Sequence, residues 1–266
     1  MGYQVTEGTV AFHGTCADYI AFGKGTKPLV MIQGLNTRGI RGAGLSLAVM
    51  YRIFARDYRV YIFDRRPDVW DGITIRDFAA DIAAAMDVLQ LKSAHVFGVS
   101  QGGMIGQYLA IDRPDLVEKL ALAVTLSRNN DTVIQVIGSW IHLAQAGGMK
   151  ALVADMAERM YSPQYLKRYR PLLPLLTLLQ KPRDIGRFSI LAQSCLTCSS
   201  YDMLDQIRCP TLVLGGSRDL IVTPEASREI AEKIACDLYM YESLGHAAYE
   251  EAPDFNQRVY DFFQRE

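Results

Sequence analysis

The chain has 266 residues, half of them hydrophobic and 21% charged, with a formal net charge of -1. That length suits one large domain, or one core carrying an insertion, and a chain of this size can bury roughly three-quarters of the surface its unfolded form exposes. With no concentrated block of positive charge, nucleic acid and anionic membranes are poor partners, and no apolar run approaches the ~18 residues of a membrane span.

Residues 1–27 read as two or more short strands with Gly23 and Gly25 at a turn. The start, Met1-Gly2-Tyr3, lacks the charged-then-apolar build of a signal peptide, although it fits the loose myristoylation pattern, which is short and often met by chance. "PLVMIQG" (28–34) is a continuous apolar run ending in glycine, as expected of a strand buried on both faces. A helix follows over 42–56, then a second buried strand, "RVYIFD" (59–64), and an amphipathic helix over 74–90 with a capping signal at Thr74 and Asp77. "AHVFGV" (94–99) predicts a third strand leading into a helix that ends near Ile111, and "KLALAV" (119–124) a fourth strand. This alternation predicts parallel strands joined by helical crossovers. From 127 to 207 the pattern turns helical, with no clear buried strand, before "PTLVLGG" (210–216), a helix opening at Thr223-Pro224, the strand "CDLYMY" (236–241) and a closing helix over 252–264. The chain is therefore expected to be an α/β core, 1–126 and 208–266, interrupted by a helical insertion, 127–207.

Five cysteines, an odd number in a chain this large, argue for reduced thiols in a cytoplasm. Cys195 and Cys198 have CxxC spacing but no second pair, so they read as two thiols on a helix with no metal role.

Gly98-Val99-Ser100-Gln101-Gly102 is G-x-S-x-G, set between a buried strand and a helix. On such a turn the serine hydroxyl is lifted from the C-terminal edge of the sheet, and the amide of Gln101 lies free at a helix N-terminus, where the dipole favours negative charge. A serine hydroxyl needs a base. Of the four histidines, His95 falls inside a strand and reads as core or edge, His13 lies among the N-terminal strands and His142 lies in the insertion. His246 follows the last strand and shares the sheet edge with Ser100. A carboxylate must orient the imidazole. Asp219, just past strand 210–216, is the first candidate and Asp131 the second, while Asp64 beside Arg65 and Arg66 reads as a structural ion pair. Met104 is expected to pack beneath the turn.

With these residues in hand, 28–126 and 208–266 resemble the α/β-hydrolase superfamily, the order Ser100, Asp219, His246 included. "GVSQGGMIGQYLAIDRPDLVEKLAL" and "IRCPTLVLGGSRDLIVTP" are similar to small bacterial carboxylesterases, enol-lactonases and their perhydrolase relatives. The resemblance implies a mostly parallel sheet flanked by helices, with 127–207 as a helical cap over the pocket. It implies an oxyanion hole made by the amides of Gln101 and Leu35, the latter after Gln33-Gly34 where the family has His-Gly. Gln33 either shapes that loop or turns its amide into the pocket. The apolar run "YLKRYRPLLPLLTLLQKP" (165–182) suggests a modest acyl or aryl group, with Gln33, Gly34, Trp140 and His142 as candidate substrate contacts. The expected activity is hydrolysis of a small-molecule carboxylic ester by Ser100, His246 and Asp219, without a metal or organic cofactor. A lactonase, carbon–carbon bond hydrolase, thioesterase or perhydrolase on the same residues stays open, as does a non-catalytic ligand receptor, and a homodimer is left open as well.

Overall fold

The computed structural model of the chain describes residues 4–169, 182 and 184–265. The myristoylation pattern at Met1-Gly2 and most of the apolar run 165–182 lie outside them. Eight strands form one sheet in the order β1-β2-β4-β3-β5-β6-β7-β8. β1 (Thr6–Phe12) and β2 (Thr15–Phe22) make an antiparallel hairpin at one edge, and β2 is antiparallel to β4 (Tyr58–Phe63). The remaining pairs, through β3 (Lys27–Ile32), β5 (Ala94–Val99), β6 (Val117–Ala123), β7 (Thr211–Gly216) and β8 (Asp237–Tyr241), are parallel.

The central strands are continuous apolar runs because both of their faces are covered. On one face Leu29, Met31, Phe97, Val99, Leu212 and Leu214 pack under α1 (Gly44–Met50) and the C-terminal helix. On the other, Val30, Ile32, Val96, Leu120, Leu122 and Val213 pack under α2 (Ile75–Val88) and α3 (Gln101–Asp112). Each buried Leu, Val or Phe contributes roughly 1.5–3 kcal/mol, so this core holds without cross-links, and all five cysteines are free.

The order of the strands creates the crevice. From β3 the chain turns outward through α1 to β4, whereas from β5 it turns the opposite way through α3 to β6. The loops leaving the neighbouring strands β3 and β5 therefore diverge, and ligands of open α/β sheets bind at such a switch point.

Between β6 and β7 lie α4 (Asp131–Gln145), α5 (Met149–Met160), α6 (Pro163–Tyr169) and α7 (Ile185–Cys195), then a 3₁₀ turn (Tyr201–Gln206). After β7 come α8 (Pro224–Ile234), β8, the short α9 (Ala248–Glu251) and α10 (Phe255–Gln264). No helix among the described residues is long and apolar enough to cross a membrane.

Four expectations need correcting. The helix expected over 42–56 ends at Met50, and 51–57 continue as tight turns that carry Tyr51 and Phe54 into the same cluster as Tyr58. The closing helix expected from 252 starts at Phe255, and the short α9 precedes it in the segment read as a loop, the two being separated at Pro253, which has no N–H to continue α9. Thr223 precedes the helix-opening proline as expected, but it sits at φ 70° and its side chain makes no capping bond. Cys195 ends α7, and Cys198 lies beyond it, in the segment leading to the 3₁₀ turn.

His95 belongs to the core. It is fully buried, 4.7 Å from the ring of Phe263. Burial and the nearby Lys27 charge pull its pKa down to about 4, against about 6.5 in an unfolded chain. Between these values the unfolded form takes a proton that the folded form does not, so this contribution is complete above pH 6.5 and is lost as pH falls towards 4. His95→Leu should therefore lose about 2–3 kcal/mol less stability than the parent chain between pH 7 and pH 4. Urea unfolding at the two pH values measures the difference, and equal losses would show that His95 is not held neutral.

Candidate active site

Ser100 ends the β5 run at φ 54° and ψ -118°, a backbone conformation that non-glycine residues rarely hold. The surroundings enforce it. Its N–H donates to Ala123 O (2.8 Å), and its carbonyl accepts from Gly103 N, Met104 N and the Thr125 hydroxyl. The flanking glycines supply space: a Cβ on Gly98 would lie 2.4 Å from Gly102 O, and one on Gly102 would lie 1.9 Å from Ile32 O.

The turn after β7 brings Asp219, and the turn after β8 brings His246, to the same sheet edge. His246 Nδ1 lies 2.8 Å from Asp219 Oδ2, and Nε2 lies 3.0 Å from Ser100 Oγ. A carboxylate only accepts, so Nδ1 carries the proton of the neutral ring and Nε2 accepts from the serine hydroxyl. Asp219 is fixed by the N–H groups of Ile221 (2.8 Å) and Val222 (3.0 Å), which donate to Oδ1. Both Asp219 and His246 are 4% exposed, so solvent competes little for these bonds. Such a chain can draw a proton from a hydroxyl as that oxygen attacks an electrophile.

Beside Ser100 lies a cavity of about 50 Å³, lined by Gly34 and Leu35 from the loop after β3, by Met104, and by Val133, Ile137 and Trp140 of α4. Met156 and Met160 of α5, Cys195 of α7, Ile221, Val222 and Tyr249 complete its wall. The α5 end is tied to the histidine loop, because Ala247 N donates to Met160 O (2.8 Å). The amide of Gln101, at the first position of α3, has no carbonyl within the helix to reach. Among the described residues neither it nor the Leu35 amide has a hydrogen-bond acceptor.

The model of the alpha/beta hydrolase family matches residues 40–256. The chain belongs to this family.

Curated relatives of this hydrolase include the protein named "Putative carbamate hydrolase RutD" of Caulobacter sp. (strain K31), 28% identical, with 86% of this chain and 89% of the relative covered. The 3-oxoadipate enol-lactonase 2 of Acinetobacter baylyi is 22% identical, with 94% of each chain covered. Among solved structures, the enol-lactonase of Burkholderia xenovorans LB400 superimposes with a TM-score of 0.85 at 24% identity, covering 97% of this chain and all of that one (100%). That likeness carries the fold.

The hydrolase fold brings Ser100, Asp219, His246, Gly34, Leu35 and Trp140 together as the sequence suggested, and it leaves others out. His142 is exposed and does not line the cavity. Trp140, two positions earlier, is buried and donates from its indole to Asp155 (2.7 Å). Gln33 does not line the cavity either, and its contribution is a main-chain carbonyl that accepts from Arg65. Gln101 is buried, its side chain donating to Leu191 O and accepting from Arg65. Asp131 is an exposed residue of the first turn of α4. Asp64 accepts from Asn36 and from the Ile40 and Arg65 amides, with Arg187 rather than Arg65 or Arg66 as its ion-pair partner at 4.0 Å. Met104 packs against the core and also lines the cavity. Burial raises the Cys195 thiol to about 11, which keeps it protonated at neutral pH.

Sequence reading missed Met156, Met160, Tyr249 and Arg65. The first two carry a usable signal, since they lie four apart at the end of a helix and so share one face. Tyr249 directly follows the histidine loop.

Proposed function

We propose that this hydrolase cleaves carboxylic esters of small apolar acyl groups through an acyl-enzyme on Ser100. The observation that carries the reading is the hydrogen-bonded series Ser100–His246–Asp219 opening on an apolar cavity. Ser100 Oγ attacks the ester carbonyl while its proton passes to His246 Nε2, and Asp219 holds the resulting imidazolium. The amides of Leu35 and Gln101 receive the oxyanion, each worth ~3 kcal/mol in the transition state. The tetrahedral species collapses, His246 gives its proton to the departing alcohol, and the acyl group stays on Ser100. Water then attacks the acyl-enzyme as His246 takes its proton, releasing the acid and restoring the hydroxyl. In this reading α4 to α7 form the cap, and Trp140, Met156 and Met160 roof the acyl site.

The cavity of about 50 Å³ has room for a few waters or a short acyl chain. Nitrophenyl acetate and butyrate should therefore turn over fastest, with kcat/KM falling at least about tenfold by the octanoate as each further methylene fails to fit. A second reading, lactone opening, is favoured by the likeness to enol-lactonases; the chemistry is the same, except that the alcohol stays tethered to the product. Lactones and an N-alkyl carbamate belong beside the esters in the assay. Turnover of lactones with none of the esters would replace the first reading by the second, and turnover of neither would remove both.

A further inference from the structure

Arg65, the second residue after β4, is 4% exposed and lies behind the loop that leaves β3. Its Nη2 donates to the main-chain oxygens of Gln33 and Gly34, the latter at 3.2 Å, and to Gln101 Oε1 at 2.8 Å. We propose that Arg65 is the positioning residue of the oxyanion hole, one buried cation that aims both of its amides. This rests on the ester-hydrolase reading above.

The Gly34 oxygen and the Leu35 N–H belong to one peptide group. No peptide bond among the described residues is cis, so these two dipoles point in opposite directions. A guanidinium holding the oxygen from behind therefore turns the Leu35 N–H forward, and Leu35 lines the cavity with Ser100. The same contact draws electron density towards the oxygen and makes the N–H a stronger donor. The second amide is constrained through its own side chain. Gln101 Oε1 is held by Arg65, while its Nε2 donates to Leu191 O (2.8 Å) and Ser194 Oγ (3.2 Å) of α7. Gln101 thereby links the cation, the serine turn and α7.

The backbone around Arg65 is itself anchored, because Arg187 of α7 donates to the carbonyls of Arg65 (3.0 Å) and Arg66 (3.2 Å). Two of the Arg65 nitrogens, Nε and Nη1, are buried with no hydrogen-bond partner among the described residues. A guanidinium serving only to stabilise the fold would be expected to have them satisfied. Arg65 is instead committed through one nitrogen to the loop and to Gln101. Burial draws its pKa down to about 10, which leaves the cation fully charged at neutral pH.

The test compares Arg65→Lys and Arg65→Met with the parent enzyme on a nitrophenyl ester and on an alkylboronic acid, whose tetrahedral adduct on Ser100 occupies the oxyanion hole. Arg65→Met should lower kcat by about 10- to 100-fold with KM within about twofold, and weaken boronate inhibition by a similar factor. Arg65→Lys, which keeps a buried cation with a less suitable fork, should fall between the two. If Arg65→Met is insoluble, the lysine variant decides alone. A folded Arg65→Lys with parental kcat and boronate inhibition overturns the inference while leaving the ester reading intact. A loss of thermal stability with kcat and boronate inhibition unchanged assigns Arg65 to the fold alone. A parent enzyme that turns over no ester removes the ester reading and this inference with it.

Discussion

Ser100→Ala should lower ester turnover by about 10⁶-fold, the loss seen when the nucleophile of such a constellation is removed. The fold should scarcely notice. The serine side chain makes no capping bond to α3, so the helix loses nothing at its start. Alanine takes up the same positive-φ backbone with about the same strain, and the bonds that enforce it run through the main chain, from Ser100 N to Ala123 O and from Gly103, Met104 and Thr125 to Ser100 O. Among the described residues the one hydrogen bond removed is that to His246, worth about 1 kcal/mol. Thermal unfolding should therefore shift by no more than about 4 °C. A fluorophosphonate should label one serine in the parent chain and none in the variant. Labelling that survives the substitution places the nucleophile elsewhere.

The edge that carries the candidate site was legible because it follows from strand order and residue chemistry. Continuous apolar runs marked β3 to β7 as strands covered on both faces, and parallel strands with helical crossovers put every following loop at one edge. Ser100 follows β5, Asp219 lies in the turn after β7 and His246 in the turn after the edge strand β8, so their meeting at one edge was implied before any distance was known. The antiparallel hairpin at residues 6–22 was legible as strands, but its partner β4 was not, since pairing between distant edges leaves no local signal.

What could not be read was burial that depends on segments far apart in the chain. Arg65 stands beside Asp64 and Arg66 and reads as part of a structural ion pair, yet Gln33 and Gly34 of the loop after β3 and Gln101 at the start of α3 enclose it. His142 is a different kind of miss. Val133, Val136, Ile137, Trp140 and Ala144 mark the buried stripe of α4, and His142 stands about 200° round the helix from Trp140, so the periodicity already turned it outward.

Gly102→Ala should be the most damaging single-methyl change in the molecule. Gly102 needs no positive φ, and what it supplies is room. A Cβ there would lie 1.9 Å from Ile32 O, 2.5 Å from Ile32 C and 2.7 Å from Gln33 O, all main-chain atoms. Ile32 cannot retreat, because β3 is paired on both sides, with Phe63 across to β4 and Gly98 across to β5. The start of α3 must lift instead, carrying Ser100 away from His246 and the Gln101 amide away from Leu35. The expected cost is about 3 kcal/mol or more, an unfolding temperature lower by at least about 6 °C, and turnover reduced at least about 100-fold. Gly106→Ala, one turn further along the same helix, is the control. Its Cβ would meet Leu120 Cδ1 at 3.5 Å, an ordinary contact, and alanine gains up to about 1 kcal/mol in helix propensity over glycine. That variant should be active and at least as stable as the parent. Equal behaviour of the two variants would mean that α3 can slide on β3, and that the tight approach at Gly102 is not what sets the position of the serine.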